Sequence, residues 1–129
     1  MVKIILMTHG DMAKGILHSA KMLIGEFDNV DSLSLEEDMG SEELDEKLGE
    51  KLNESEKGVQ HLILCDIIGG TPFNVASKYS FKNENIAVYF GLNLPLLVEA
   101  IMKINDHTLK EIVEYLKSID KSTIGLSEI

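Results

Sequence analysis

The chain has one cysteine, few basic residues and no long hydrophobic run. A lone Cys65 forms no internal disulfide and supplies no paired-cysteine zinc spacing, which fits a reducing compartment and predicts a cytoplasmic protein. With 12 Lys and Arg against 22 Asp and Glu, the formal charge is -10. That balance repels nucleic-acid phosphates and anionic membranes and attracts a partner with a basic face. The N-terminus carries only Lys3 ahead of an apolar stretch of about six residues, too short for a signal-peptide core or a membrane span. No Gly-x-x-x-x-Gly-Lys-Ser/Thr loop occurs, so a nucleotide-dependent kinase is not expected. Repeats and low-complexity segments are absent as well, and 129 residues read as one domain, 1–129, with a single core.

What is present is an alternation of apolar runs and amphipathic stretches. Val2–Thr8 and Val59–Cys65 are short, nearly continuous and rich in branched residues, the pattern of strands buried on both faces. Val30–Leu35 alternates Ser32 and Ser34 with leucines and reads as an edge strand, and Ile86–Phe90 as a fourth strand. Between them, Asp11 is placed to cap a helix with Met12, Ala13, Ile16, Leu17, Ala20, Leu23 and Ile24 on its apolar positions, ended by Gly25. Ser41 is placed to cap a helix with the stripe Leu44, Leu48 and Leu52. Thr71 and Pro72 suit the start of a helix running to about Tyr79; Pro95 opens another, and Thr108 precedes a last one. Ser122–Leu126 reads as a short final strand.

Strands alternating with helices predict an α/β fold: a three-layer α/β/α sandwich with a parallel sheet, right-handed crossovers and strand order 2-1-3-4. In that order the first and third strands are neighbours, and the crossovers flanking them go to opposite faces, leaving a cleft at their carboxyl ends. His9 follows the first of these strands, and Asp66-Ile67-Ile68-Gly69-Gly70-Thr71-Pro72 follows the second. Adjacent strands lie about 4.8 Å apart, so His9 and Asp66 come within reach of a hydrogen bond.

That constellation suits a phosphoryl group. A neutral imidazole attacks phosphorus through one nitrogen if an acceptor holds the other, protonated nitrogen and steadies the developing positive charge; Asp66 is placed to be that acceptor. Gly69 and Gly70 can turn backbone N–H groups inward, Thr71 adds a hydroxyl, and the helix opening at Pro72 aims its positive end at the site. Taken singly the pieces are ordinary. A loop histidine is commonly a solvated residue, an aspartate a turn residue, and Gly69-Gly70-Thr71-Pro72 a helix entry. Position after two buried strands is what favours chemistry for His9. His61 and Cys65, four apart in a strand, read as core packing rather than as a metal site, and no metal or cofactor is expected. His18 and His107 read as surface or capping residues, and the acidic stretch Glu36–Glu46 as a solvated face.

Four segments in order, Met7-Thr8-His9-Gly10, Leu23-Ile24-Gly25-Glu26-Phe27-Asp28-Asn29-Val30, Cys65 through Asn74, and Gly91-Leu92-Asn93-Leu94-Pro95, carry a resemblance over nearly the whole length. The chain resembles the IIA component of the mannose family of the bacterial sugar phosphotransferase system. The resemblance implies that His9 accepts a phosphoryl group from the phosphocarrier HPr and donates it to a IIB component. It also implies that Asp66 orients His9, that Thr71 bonds the phosphate, and that membrane association runs only through the IIC/IID permease. Members are usually homodimers exchanging an antiparallel C-terminal strand, a role Ser122–Leu126 would fill. The chain departs from many mannose-type members in having Ile68, not an aromatic residue, before the paired glycines, which leaves the sugar open. Its end, where a linker to IIB would begin, suggests a separate IIB polypeptide. Rival readings are the related phosphoryl donor subunit of dihydroxyacetone kinases, a receiver-like signalling module, and a non-catalytic phosphate- or flavin-binding regulatory module. The receiver lacks its acids here, because Thr8-His9-Gly10 stands where they would cluster.

Overall fold

The computed structural model describes residues 1–129. Four strands, β1 (Val2–His9), β2 (Val30–Leu35), β3 (Gln60–Cys65) and β4 (Ile86–Tyr89), form one parallel sheet in the order β2-β1-β3-β4. Five α-helices, α1 (Met12–Ile24), α2 (Ser41–Asn53), α3 (Thr71–Lys82), α4 (Leu94–Ile101) and α5 (Leu109–Ile119), cover it.

The two faces follow from period-2 alternation along the central strands. Val2, Ile4, Leu6, Leu62 and Leu64 point into a core with α1, α4 and α5, while Ile5, Met7, Ile63 and Cys65 point into a second with α2 and α3. This is why β1 and β3 read as nearly unbroken apolar runs: residues 4–8 and 61–65 are all buried, and each fully buried Leu or Ile contributes about 1.5–3 kcal/mol. The crossover β1-α1-β2 moves to one side of β1, and β2-α2-β3 returns across it. With right-handed connections, the reversal puts α1 and α2 on opposite faces. The cleft between β1 and β3 at their carboxyl ends is the product of that reversal.

Several helix starts differ from expectation. Asp11 makes no capping bond; the Thr8 hydroxyl, fully buried at the end of β1, accepts the Ala13 N–H at 2.9 Å instead. Ser41 is the first residue of α2, not its cap, which is Gly40. Thr71 is likewise the first residue of α3, because extended Gly70 precedes it and the Gly70 carbonyl accepts the Asn74 N–H at 2.9 Å. The helix then runs three residues past Tyr79, to Lys82. At α5 the expectation holds and gains a partner, Thr108 and Glu111 forming a reciprocal capping box.

The expected final strand does not form within the single chain. Asp120–Ser122 forms a 3-10 turn, held by Tyr89 Oη donating to Asp120 Oδ2, and the residues beyond Thr123 form no strand. Five residues interrupted by Gly125 have little strand propensity of their own, and a strand exists only with a ladder partner. His61 and Cys65 lie in the core facing α2 and α3. The His61 Nε2 is paired with Ser55 Oγ at 2.9 Å, and burial, with the charge of Lys3, pulls the imidazole below its ordinary pKa.

Candidate functional site

Backbone pairing between β1 and β3 ends at Met7 and Cys65. The next N–H of β1, that of His9, finds a side chain: Asp66 Oδ2 accepts it at 2.8 Å, and the same oxygen lies 2.8 Å from His9 Nδ1. Asp66 Oδ1 accepts the Ile67 N–H at 2.9 Å. One carboxylate therefore extends the ladder, fixes the rotation of the imidazole and starts the following turn. The Asp66 backbone is fastened in turn, its carbonyl accepting the Gly91 N–H at 3.2 Å, while the Cys65 carbonyl accepts that of Leu92 at 3.0 Å. The loop after β4 thus braces the end of β3.

Asp66 is 13% exposed and the His9 side chain 49%, so the acid sits behind the ring and the ring faces solvent. Partial burial works to raise the Asp66 carboxyl. The hydrogen bonds from the His9 backbone, the His9 ring and the Ile67 N–H outweigh it and hold the carboxyl below its ordinary value of 3.8. The acid is therefore ionised at neutral pH and accepts a proton-bearing Nδ1. That choice of tautomer leaves the Nε2 lone pair free.

Beside the ring lies the glycine turn. Gly69 sits at φ +81°, where L side chains are strained, and its carbonyl accepts a bond from Asn74 Nδ2 at 3.1 Å. The Gly70 N–H is turned back to the Ile67 carbonyl at 3.3 Å. The first-turn amides of α3 have no intrahelical acceptors and form the positive end of its dipole. Phe73 and Phe90 meet edge to face at 6.0 Å, and Ile67, Ile68 and Phe90 are exposed. On the other side a groove of about 580 Å³ runs from His9, Gly10 and Asp11 to Leu35 and Met39, with Glu36, Glu37 and Asp38 between them. Glu36, Glu37, Asp38, Glu42, Glu43 and Glu46 are exposed, as a solvated face would be, and the first three wall the crevice; Asp45 is half-buried and accepts from Tyr79 Oη and Lys78 Nζ.

Sequence reasoning placed His9, Asp66, Gly69, Gly70 and Thr71 at one strand edge; the structure brings Asp66 and Gly70 against the His9 ring, with Gly69 and Thr71 flanking Gly70 in the chain, and corrects one role, since the Gly70 N–H expected to face the site is turned to the Ile67 carbonyl. Sequence reasoning assigned no role to Thr8, which caps α1, or to Asn74, which ties down the turn. Asn74 carries a readable signal, a short amide side chain four residues into a helix that follows two glycines. His18 is exposed on α1, and His107 Nδ1 pairs with Asp106 Oδ1 at 2.7 Å in the turn before α5.

Residues 3–117 match the model of the EIIA-man family, described as the PTS system fructose IIA component. The chain is 29% identical over 124 residues to the PTS system fructose-specific EIIA component of Bacillus subtilis, covering 95% of this chain and 84% of that protein. It is 38% identical over 107 residues to the PTS system mannose-specific EIIAB component of Escherichia coli strain K12, covering 81% of this chain and 32% of that longer protein. Among solved structures, the mannose/sorbose specific IIA subunit of the phosphotransferase system from Enterococcus faecalis superposes with a TM-score of 0.90 at 33% identity, covering 98% of this chain and 95% of that one. With the 2-1-3-4 sheet and an imidazole braced by a carboxylate at its central edge, these matches establish that the chain belongs to the EIIA-man family, as a mannose-family IIA component acting in phosphotransfer for sugar uptake.

Proposed function

We propose that His9 carries the phosphoryl group, taking it from phospho-HPr and passing it to a IIB component. The observation that carries this reading is the 2.8 Å contact of Nδ1 with Asp66 Oδ2 on a ring whose other nitrogen is free. In the accepting step the Nε2 lone pair forms the new N–P bond as the N–P bond of the donor phosphohistidine breaks, and that electron pair returns to the donor imidazole. No proton changes hands: Nδ1–H stays on His9 and is bonded to Asp66, whose charge offsets the positive charge building on the ring. The donating step is the reverse, with IIB as the acceptor. Because the transition state is loose, with charge on the outer oxygens, alignment and hydrogen-bond donors do most of the catalysis. Gly69 and Thr71 supply the donors in this reading, Thr71 through its N–H and its hydroxyl. The acidic wall of Glu36, Glu37 and Asp38 disfavours free phosphate, so the group arrives on a protein that brings its own positive charge. No helix is long and apolar enough to cross a membrane, and the chain works in the cytoplasm, meeting the membrane only through the IIC/IID permease.

The test is incubation with phosphoenolpyruvate, enzyme I and HPr. One acid-labile, alkali-stable phosphoryl group is expected, with the ³¹P and ¹⁵N signature of Nε2 substitution, and it should drain onto a IIB protein. Label that survives acid, or that sits on Nδ1, overturns the reading; drainage only onto a dihydroxyacetone kinase subunit transfers it to the rival system.

The same reading includes a homodimer. The outer edge of β4 is unpaired in the sheet order, and beside it a groove of about 850 Å³ is lined by Val88, Tyr89, Leu96, Val113 and Ile124, among others. An edge strand of this kind invites a further strand, and residues 122–126 of a second copy would supply it and cover the exposed Ile124 and Leu126. Light scattering should give a dimer for the full chain and a monomer for a chain ending at Lys121. A full chain that stays monomeric at tens of micromolar ends this part.

A further inference from the structure

The paired glycines are required for different reasons, and the second acts on the imidazole. At Gly69 the constraint is the backbone, since φ is +81° and a side-chain carbon built there meets nothing within 4 Å. At Gly70 the backbone is ordinary, φ -75° and ψ 169°, open to any L residue. What is lacking there is room. A β-carbon on Gly70 would stand 3.0 Å from His9 Cε1 and 3.0 Å from Ile67 Cγ2, well inside the usual carbon–carbon contact of about 3.5–4.0 Å.

We infer that Gly70 is a positioning residue for His9, setting the direction of Nε2 by the absence of a side chain. This rests on the phosphohistidine reading above. Cε1 is bonded to both ring nitrogens. Nδ1 is held 2.8 Å from Asp66 Oδ2, so a push on Cε1 pivots the ring about Nδ1 and swings Nε2. The loop cannot easily retreat. Its backbone is tied by Gly70 N–H to the Ile67 carbonyl, by Asn74 N–H to the Gly70 carbonyl and by Asn74 Nδ2 to the Gly69 carbonyl. Ile67 is exposed and can rotate away, which relieves one contact and leaves the one with the ring. The Gly70 N–H is already committed to Ile67, so the residue serves the site through the space it leaves and not through its amide. In-line transfer is sensitive to such displacement, a misplacement of about 1 Å costing up to about 10²-fold.

The experiment uses phosphoramidate as a small phosphoryl donor, so that protein docking does not enter, and compares wild type, Gly70→Ala, Ile67→Ala and the double variant. Gly70→Ala should label about tenfold more slowly than wild type, with its melting temperature kept and its His9 ring ¹⁵N and ¹³C resonances displaced in the unphosphorylated protein. The double variant should stay slow and displaced, while Ile67→Ala labels at close to the wild-type rate. The double variant also decides the matter if Gly70→Ala alone is unfolded. The inference is overturned if Gly70→Ala labels as fast as wild type with its ring signals unmoved, or if the double variant matches Ile67→Ala, which would put the constraint at Ile67. A failure of the carrier reading looks different: there, wild type itself forms no phosphohistidine at residue 9.

Discussion

A His9→Ala chain incubated with phosphoenolpyruvate, enzyme I and HPr is expected to label at less than about one-thousandth of the wild-type rate while keeping its fold. The size follows from losing the nucleophile itself, with no substitute in the molecule. His61 is buried and paired with Ser55, His107 is paired with Asp106, and His18 is exposed on α1; none of them is among the residues grouped at the glycine turn. Cys65 stands next to Asp66, yet burial, seconded by the Asp66 charge, pushes its thiol up to about 12, so it supplies no thiolate at neutral pH. The fold should survive because the ring is half exposed and the bond that extends the β1 ladder comes from the residue 9 backbone, which alanine keeps. Mass spectrometry of the intact protein at neutral pH gives the labelling, and circular dichroism gives the fold. A variant that labels like wild type would remove His9 from the chemistry.

The parts of this site legible in the sequence are those that depend on topology. Two nearly unbroken apolar runs mark strands covered on both faces, and the order of strands and helices then dictates which strand ends are neighbours. The meeting of His9 with Asp66, 57 positions apart, follows from that without any knowledge of side-chain packing. Where geometry finer than a strand spacing decides, the pattern is silent. Asp11 has the chemistry of a cap, but the preceding strand delivers the Thr8 hydroxyl to the Ala13 N–H first. Thr71 has the same chemistry and is displaced by Gly70, whose extended conformation and carbonyl begin α3. The steric demand at Gly70 is invisible for a related reason, since a glycine in a sequence does not say whether its φ or its surroundings exclude a side chain. Residues 122–126 alternate weakly enough to resemble a strand, and no ladder in the single chain takes them up.

Asp66→Asn keeps the size of the side chain and should still cost about 10²-fold or more in phosphotransfer, because the amide cannot satisfy what the carboxylate satisfies. Oδ2 accepts from the His9 N–H and faces Nδ1, and Oδ1 accepts from the Ile67 N–H, so all the surrounding groups are donors. An NH₂ group on the Ile67 side opposes that N–H. On the other side it opposes the His9 N–H and drives the ring to the tautomer with hydrogen on Nε2, which removes the attacking lone pair. In either orientation the negative charge that offsets the phosphorylated ring is gone; amidating the aspartate of a Ser-His-Asp triad, a comparable tautomer error, costs about 10⁴. Folding stability should fall by about 1 kcal/mol for the hydrogen bond left unmade. The pH dependence separates this from a packing defect. The folded Asp66 carboxyl lies below its ordinary 3.8, so the unfolded chain takes up the proton first, and the stabilisation is fully present above that value and lost as pH falls through the lowered one. Urea titrations should therefore show wild type more stable than Asp66→Asn above 3.8, with the gap closing as pH falls below that value. A gap unchanged at acid pH, with phosphotransfer intact, would mean that the carboxylate neither holds the ring nor serves the transfer.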